Sequence, residues 1–153
     1  MTEETPRHSV SVTGVVVRPE DGKVLVIKRA DDGRWVPPGG VLELDETPEQ
    51  CVVREVWEET GIKAKPIRLT GVYKNMNLGV VSLAFLCEPV GGEIRASDES
   101  TVTAWLTSED AVKRCPEARG IRISDALSGS APYVRVHDGT SITPKQQLYP
   151  HHH

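Results

Sequence analysis

Ser9 to Val17 alternates valine with small or polar residues, and Val24 to Lys28 is a second apolar run. Pro19-Glu20-Asp21-Gly22 lies between them, so the pattern predicts two strands joined as a hairpin. Asp31-Asp32-Gly33 reads as a loop tip, and Pro37-Pro38-Gly39-Gly40 forces a sharp backbone bend. Ile67 to Lys74 and Val80 to Cys87 read as strands, the second apolar enough to be central. Gly91-Gly92 is a turn, and Thr101 to Leu106 a further strand. A short helix is expected over Ser108 to Lys113 with Ser108 as its cap. Pro116 to Leu127 has helical spacing interrupted by Gly120. From Ser128 onward periodicity is lost, which predicts an irregular segment. The order of elements fits an α/β fold in which helices cover both faces of a mixed sheet.

The best-marked element lies between Thr47 and Gly61. Thr47 is a cap residue, Pro48 suits the first helical position, and Gln50 completes a capping box. Gly61 sits where a left-handed residue would end the helix. Glu55, Glu58 and Glu59 fall within an arc of about 100° on this helix. Val52, Val53, Val56 and Trp57 are assigned to the opposite, buried side, leaving the carboxylates to a cleft or to solvent. Like charges at these spacings repel, and a hard divalent cation with oxygen ligands is a natural compensating charge.

The segment GVLELDETPEQCVVREVWEETGI, Gly40 to Ile62, carries the pattern G-x5-E-x7-R-E-U-x-E-E-x-G-U, with U a bulky aliphatic. Gly40, Glu46, Arg54, Glu55, Val56, Glu58, Glu59, Gly61 and Ile62 match every fixed position. This is the Nudix box, and the chain resembles the Nudix hydrolases. The resemblance implies a Nudix-type α/β/α sandwich with a mixed sheet between helices. Length and composition fit a single domain over residues 1–137, followed by an irregular tail over 138–153 that ends in purification-tag histidines.

The resemblance also implies hydrolysis of a nucleoside diphosphate linked to another group, with Mg²⁺ or Mn²⁺. Glu55 and Glu59 are the expected metal ligands, Glu58 a third, and the main chain at Gly40 a further oxygen donor. Glu55, Glu58 and the loop residue Glu99 are the candidate catalytic carboxylates, Glu99 standing ahead of a strand that carries Trp105. Asp98 and Glu43 are neighbouring acids that could share the work. Arg54 is expected to orient the box through Glu46 or a helix carboxylate. Lys28 and Arg29, at a strand end leading toward the box, are candidate phosphate-binding residues. Trp35, Tyr73 and Trp105 are weighed as base-stacking residues but are placed in the core.

Composition narrows the partners. A formal net charge of −4 gives no electrostatic surface for nucleic acid. No apolar run is long enough to span a membrane, and no signal-peptide pattern opens the chain. Cys51, Cys87 and Cys115 are odd in number and lack metal-ligand spacing, so they read as reduced thiols in a cytoplasmic setting. The expected partner is a small-molecule nucleotide, with homodimerisation left open. Motifs typical of NADH or coenzyme A hydrolases are absent. The reading therefore leans toward a nucleoside triphosphate or modified nucleotide, with ADP-ribose and nucleotide sugars open. A non-catalytic nucleotide-sensing module is the alternative of another class.

Overall fold

The computed structural model describes residues 4–98, 100–130 and 132–144. Strands β1 (Ser9–Val16), β2 (Val24–Arg29), β3 (Trp35–Val36) and β4 (Gly39–Val41) precede helix α1 (Pro48–Thr60). The long strands β5 (Ile62–Asn75) and β6 (Val80–Gly92) follow, then β7 (Ser100–Leu106), helices α2 (Ser108–Arg114) and α3 (Glu117–Leu127), and β8 (Tyr133–His137). The strands form two sheets, one ordered β4-β1-β6-β5-β8 and the other β3-β2-β7. The larger sheet is mixed, with β1 parallel to β6 and β5 parallel to β8.

The expected β1–β2 hairpin does not form. A turn closes between Arg18 and Lys23, and a single bridge joins Val17 to Val24. Beyond it the strands part, because β1 is paired on both edges by β4 and β6 while β2 takes β3 and β7. Two cores result. Val12, Val16 and Leu25 pack with Cys51, Val52 and Val56 of α1. Val15, Val24 and Val26 pack on the other side with Ala111, Cys115, Ile123 and Ala126 of α2 and α3. Helices therefore lie on both faces, as the order of elements implies.

Two helix boundaries behave differently from their sequence signals. Thr107, not Ser108, caps α2, its hydroxyl accepting from the Asp110 N–H at 3.2 Å. Gly120 does not interrupt α3; it lets α3 approach α2, since a Cβ there would lie 2.9 Å from the Val112 carbonyl oxygen. The segment after Ser128 is not irregular throughout. Tyr133–His137 adds β8 to the sheet edge beside β5. Asp125 anchors it, accepting from Arg135 Nε and Nη2 at 2.8 Å each and from the Tyr73 hydroxyl at 2.7 Å.

Helix α1 keeps its local signals. Thr47 and Gln50 form the capping box, and Gly61 ends the helix at φ 81°. Its buried face is only partly the one assigned from the sequence. Val52, Val56 and Glu59 are buried, whereas Val53 and Trp57 are exposed. At 100° per residue Glu59 and Val52 lie only about 20° apart, so the face that enters the core takes Glu59 with it. Trp57 is covered on its outer side by the Arg95 guanidinium, 4.5 Å from the ring centroid.

Candidate active site

The Pro37-Pro38-Gly39-Gly40 bend brings main chain against the carboxylates of α1. The Pro38 carbonyl accepts from the Gly14 N–H at 2.8 Å, and β4 pairs with β1 so that Gly39 faces Thr13 and Gly40 faces Val12. Space requires glycine at position 39, and glycine at position 40 leaves the Glu55 side chain where it stands. A Cβ at Gly39 would overlap the Val12 carbonyl, and one at Gly40 would overlap the Glu55 carboxylate. The Gly39 N–H donates to Glu59 Oε1 at 2.9 Å.

Arg54 organises the other side. Its Nε and Nη2 donate to Glu46 Oε2 and Oε1 at 3.0 and 2.6 Å, a bidentate pair. Its Nη1 donates to Glu55 at 2.6 Å and to Glu58 at 3.3 Å. Arg54 thus supplies much of the charge compensation that the sequence argument assigned to a cation. It holds the Glu46 carboxyl down to about 2, the Arg54 hydrogen bond being the main cause and the Glu43 N–H the next. Cys51, tucked beneath this cluster, is pushed up to about 12 by burial and by Glu46, which makes it an inert packing thiol.

Glu55 responds chiefly to burial, which raises its carboxyl against the opposing pull of Arg54. Glu58 adds to this rise, and Glu59 opposes it. As the side chains stand, no three carboxylates among the described residues converge on one point, because Glu55 and Glu58 turn toward Arg54. The donor set nevertheless suits a hard divalent ion: carboxylate oxygens one turn apart, with main chain brought close by Gly40. The Glu58 side chain is half-exposed and can swing to join it.

Two adjoining lobes open beside this cluster. One, of about 520 Å³, is lined by Glu43, Glu55 and Asp98 with Arg29 and the glycine pair. The other, of about 360 Å³, is lined by Glu59 and by Arg29, Arg34, Arg119 and Arg122. Arg29 stands at the junction, held by a bidentate pair with Asp31 at 3.0 and 2.9 Å. Lys28 is not among the residues lining either lobe. The pairing of β2 with β7 shifts register between Lys28 and Arg29, at the end of the strand. Glu99 lies outside the described residues, while its neighbour Asp98 borders the acidic lobe. Trp35 and Trp105 pack against the cores, as expected.

Sequence reasoning found Arg29 but missed Arg34, Arg119 and Arg122 of the second lobe. Arg119 and Arg122 are three residues apart on α3, whose buried face otherwise carries Ala118, Ile123 and Ala126. A cation on an apolar helical face is the signal that could have found them.

The fold and this site define the protein class, and comparison with known proteins agrees. The NUDIX domain family model matches residues 8–125. A MutT-like protein of Streptomyces ambofaciens is 58% identical over 139 residues, covering 91% of this chain and 90% of that protein. An ADP-ribose pyrophosphatase of Methanocaldococcus jannaschii is 38% identical over 99 residues, 60% of this chain and 57% of its own length. This chain thus spans little more than half of that relative. A solved NUDIX hydrolase from Nitrosomonas europaea superposes with a TM-score of 0.73 over 89% of this chain and 83% of that one, at 20% identity. The chain belongs to the Nudix family and is a hydrolase acting on phosphorus-containing acid anhydrides.

Proposed function

We propose that this chain is a divalent-metal-dependent pyrophosphohydrolase that cleaves the diphosphate bond of a nucleoside diphosphate linked to another group. The observation that carries the reading is Glu55 and Glu59 set against the Gly39–Gly40 main chain, with Glu58 beside them on α1. Glu55, Glu58, Glu59 and the Gly40 main chain would hold Mg²⁺, with Mn²⁺ as a substitute. The metal would neutralise diphosphate oxygens and acidify the attacking water. Arg54 positions Glu46 and Glu55, Arg29 at the junction of the lobes takes a phosphate, and the Glu59–Gly39 bond fixes the cleft wall. Glu99 is proposed as a carboxylate acting from the opposite wall, supported by the place of Asp98 at the lobe. The substrate preference proposed is a nucleoside triphosphate or modified nucleotide, acting as a soluble small molecule in the cytoplasm. The ADP-ribose pyrophosphatase among the relatives supports ADP-ribose as the second reading.

A panel of nucleoside triphosphates, modified nucleotides, ADP-ribose and nucleotide sugars, assayed with Mg²⁺ in ¹⁸O water, tests this. Cleavage at a diphosphate bridge with label on one phosphorus is expected. Hydrolysis of monophosphates alone, or turnover unaffected by excess chelator, would overturn it.

A further inference from the structure

Arg122 is 2% exposed, and every partner it has is uncharged. Its Nε donates to the Ala118 carbonyl at 3.1 Å. Its Nη1 donates to Thr13 Oγ1 at 2.9 Å and to Ser82 Oγ at 3.0 Å. The guanidinium also lies 4.9 Å from the Tyr73 ring centroid. Among the described residues no carboxylate pairs with it. Asp125, on the same helix, is taken by Tyr73 and Arg135. Arg119, half-buried one turn earlier, makes no side-chain hydrogen bond or ion pair among the described residues. A buried guanidinium without a counter-ion is costly, and a second one beside it adds to the cost. Burial, and after it Arg119, holds the Arg122 guanidinium down to about 9.

His137 adds an independent observation. Its Nδ1 accepts from the Gly139 backbone N–H at 3.0 Å, and a backbone amide can only donate. The proton of the neutral ring therefore sits on Nε2, as the network assigns it. That Nε2 lies 3.3 Å from Arg122 Nη2, which is also only a donor. Two donors cannot satisfy each other, so both N–H groups call for one acceptor. Protonating the ring does not help, since it would break the Gly139 bond. Burial and the two arginines hold His137 down to about 4 in any case.

These groups converge on a side cavity of about 80 Å³, lined among others by Ser11, Asn75, Ser82, Arg119, Arg122 and His137. Ser11, Arg119 and Arg122 also line the larger basic lobe, so the cavity is its inner extension. We propose that this cavity is an oxyanion subsite for a terminal phosphoryl group of the substrate, remote from the diphosphate that is cleaved. This rests on the hydrolase reading above and deepens it. Water would supply the missing acceptor but not the missing charge, whereas a phosphoryl oxygen supplies both. A dianion matches two guanidinium charges, which a carboxylate does not. The substrate would then run from the acidic lobe, past Gly39 and Gly40, to α3.

The test uses the full chain without metal, in excess chelator, so that it reads binding apart from turnover. Inorganic phosphate, at constant ionic strength against chloride, is expected to bind saturably by calorimetry and to raise the melting temperature by about 4 °C at tenfold over its Kd. Acetate should not. Arg119→Gln, at a half-exposed position where the fold survives, should weaken phosphate binding measured calorimetrically by at least about tenfold, with Arg119→Lys recovering part. In turnover, a substrate pair differing only by a terminal phosphate monoester should be discriminated by kcat/KM, and Arg119→Gln should collapse that ratio toward one. No saturable phosphate response, the same response in Arg119→Gln, or an equal response to acetate would overturn the proposal. Phosphate binding without hydrolysis of any compound in the panel would instead sink the proposed function and leave the subsite standing.

Discussion

The Gly39 backbone N–H donates to Glu59 Oε1 at 2.9 Å, so a main-chain amide from β4 is tied to a carboxylate from the last turn of α1. One residue on, Gly40 lies so close to Glu55 that any Cβ there would push the carboxylate out of its present place. These contacts make the bend and the helix a single unit, so a change in one should be felt in the other.

Gly40→Ala should therefore disable the site without unfolding the protein. The new Cβ must displace the end of the Glu55 side chain, which is flexible enough to shift, so stability should change by less than about 1 kcal/mol. Turnover should fall by at least about a hundredfold, on the order of 2.7 kcal/mol of barrier. Paired measurements of kcat and urea midpoint would check it; wild-type turnover in this variant would mean that Glu55 is dispensable.

Activity should require added Mg²⁺ or Mn²⁺, and Glu58→Gln or Glu59→Gln should lower turnover by at least about a hundredfold. The fold should persist in both. Glu58 is exposed, so its change should stay within about 0.5 kcal/mol. At residue 59 the amide oxygen can still accept from Gly39, while its NH₂ can donate to Glu55. Melting curves and turnover titrated with metal decide the matter, with retained activity in either variant counting against the metal assignment. Glu99→Gln is expected to cost at least about tenfold in turnover.

Acid should weaken the Arg54–Glu46 clamp over a defined window. The Glu46 carboxyl sits at about 2, below its ordinary value of 4.5. A lowered folded-state value means that the contribution is complete above about pH 4.5 and is lost as the pH falls toward 2. In Arg54→Met the main cause of the shift is gone, so melting temperature should fall less steeply across that window than in wild type. Parallel slopes would show that the clamp contributes nothing to folding.

Asp125→Ala should destabilise the protein by about 3 kcal/mol, because it strands Arg135 and the Tyr73 hydroxyl at a site where Asp125 is 4% exposed. Loss of β8 protection in amide exchange should accompany the drop. A change below about 1 kcal/mol would show that β8 is held by backbone pairing alone.

Much of α1 and its chemistry was legible in the sequence because its rules are local. The capping box joins Thr47 to Gln50, Gly61 must be left-handed, and Arg54 reaches Glu46 across eight residues. Spacing alone carries such information, since every partner lies within a turn or a short loop. Which face of α1 enters the core was not legible, because valines and glutamates overlap on the helical wheel and only the sheet beneath decides that Glu59 is buried and Trp57 is not. The same holds for β1, which leaves its neighbour β2 for β6, just over seventy residues away, once both of its edges are taken. Tyr133–His137 has too little periodicity to announce a strand, and it becomes one because β5 offers an open edge and Asp125 holds Arg135. Arg122 is the extreme case. Its partner Thr13 is 109 residues away, and no local pattern could reveal that two donors from α3 and β8 would meet over one cavity. Local spacing determined the carboxylate helix; long-range packing, which alone sets burial and dielectric, decided where the arginines and the buried glutamate would act.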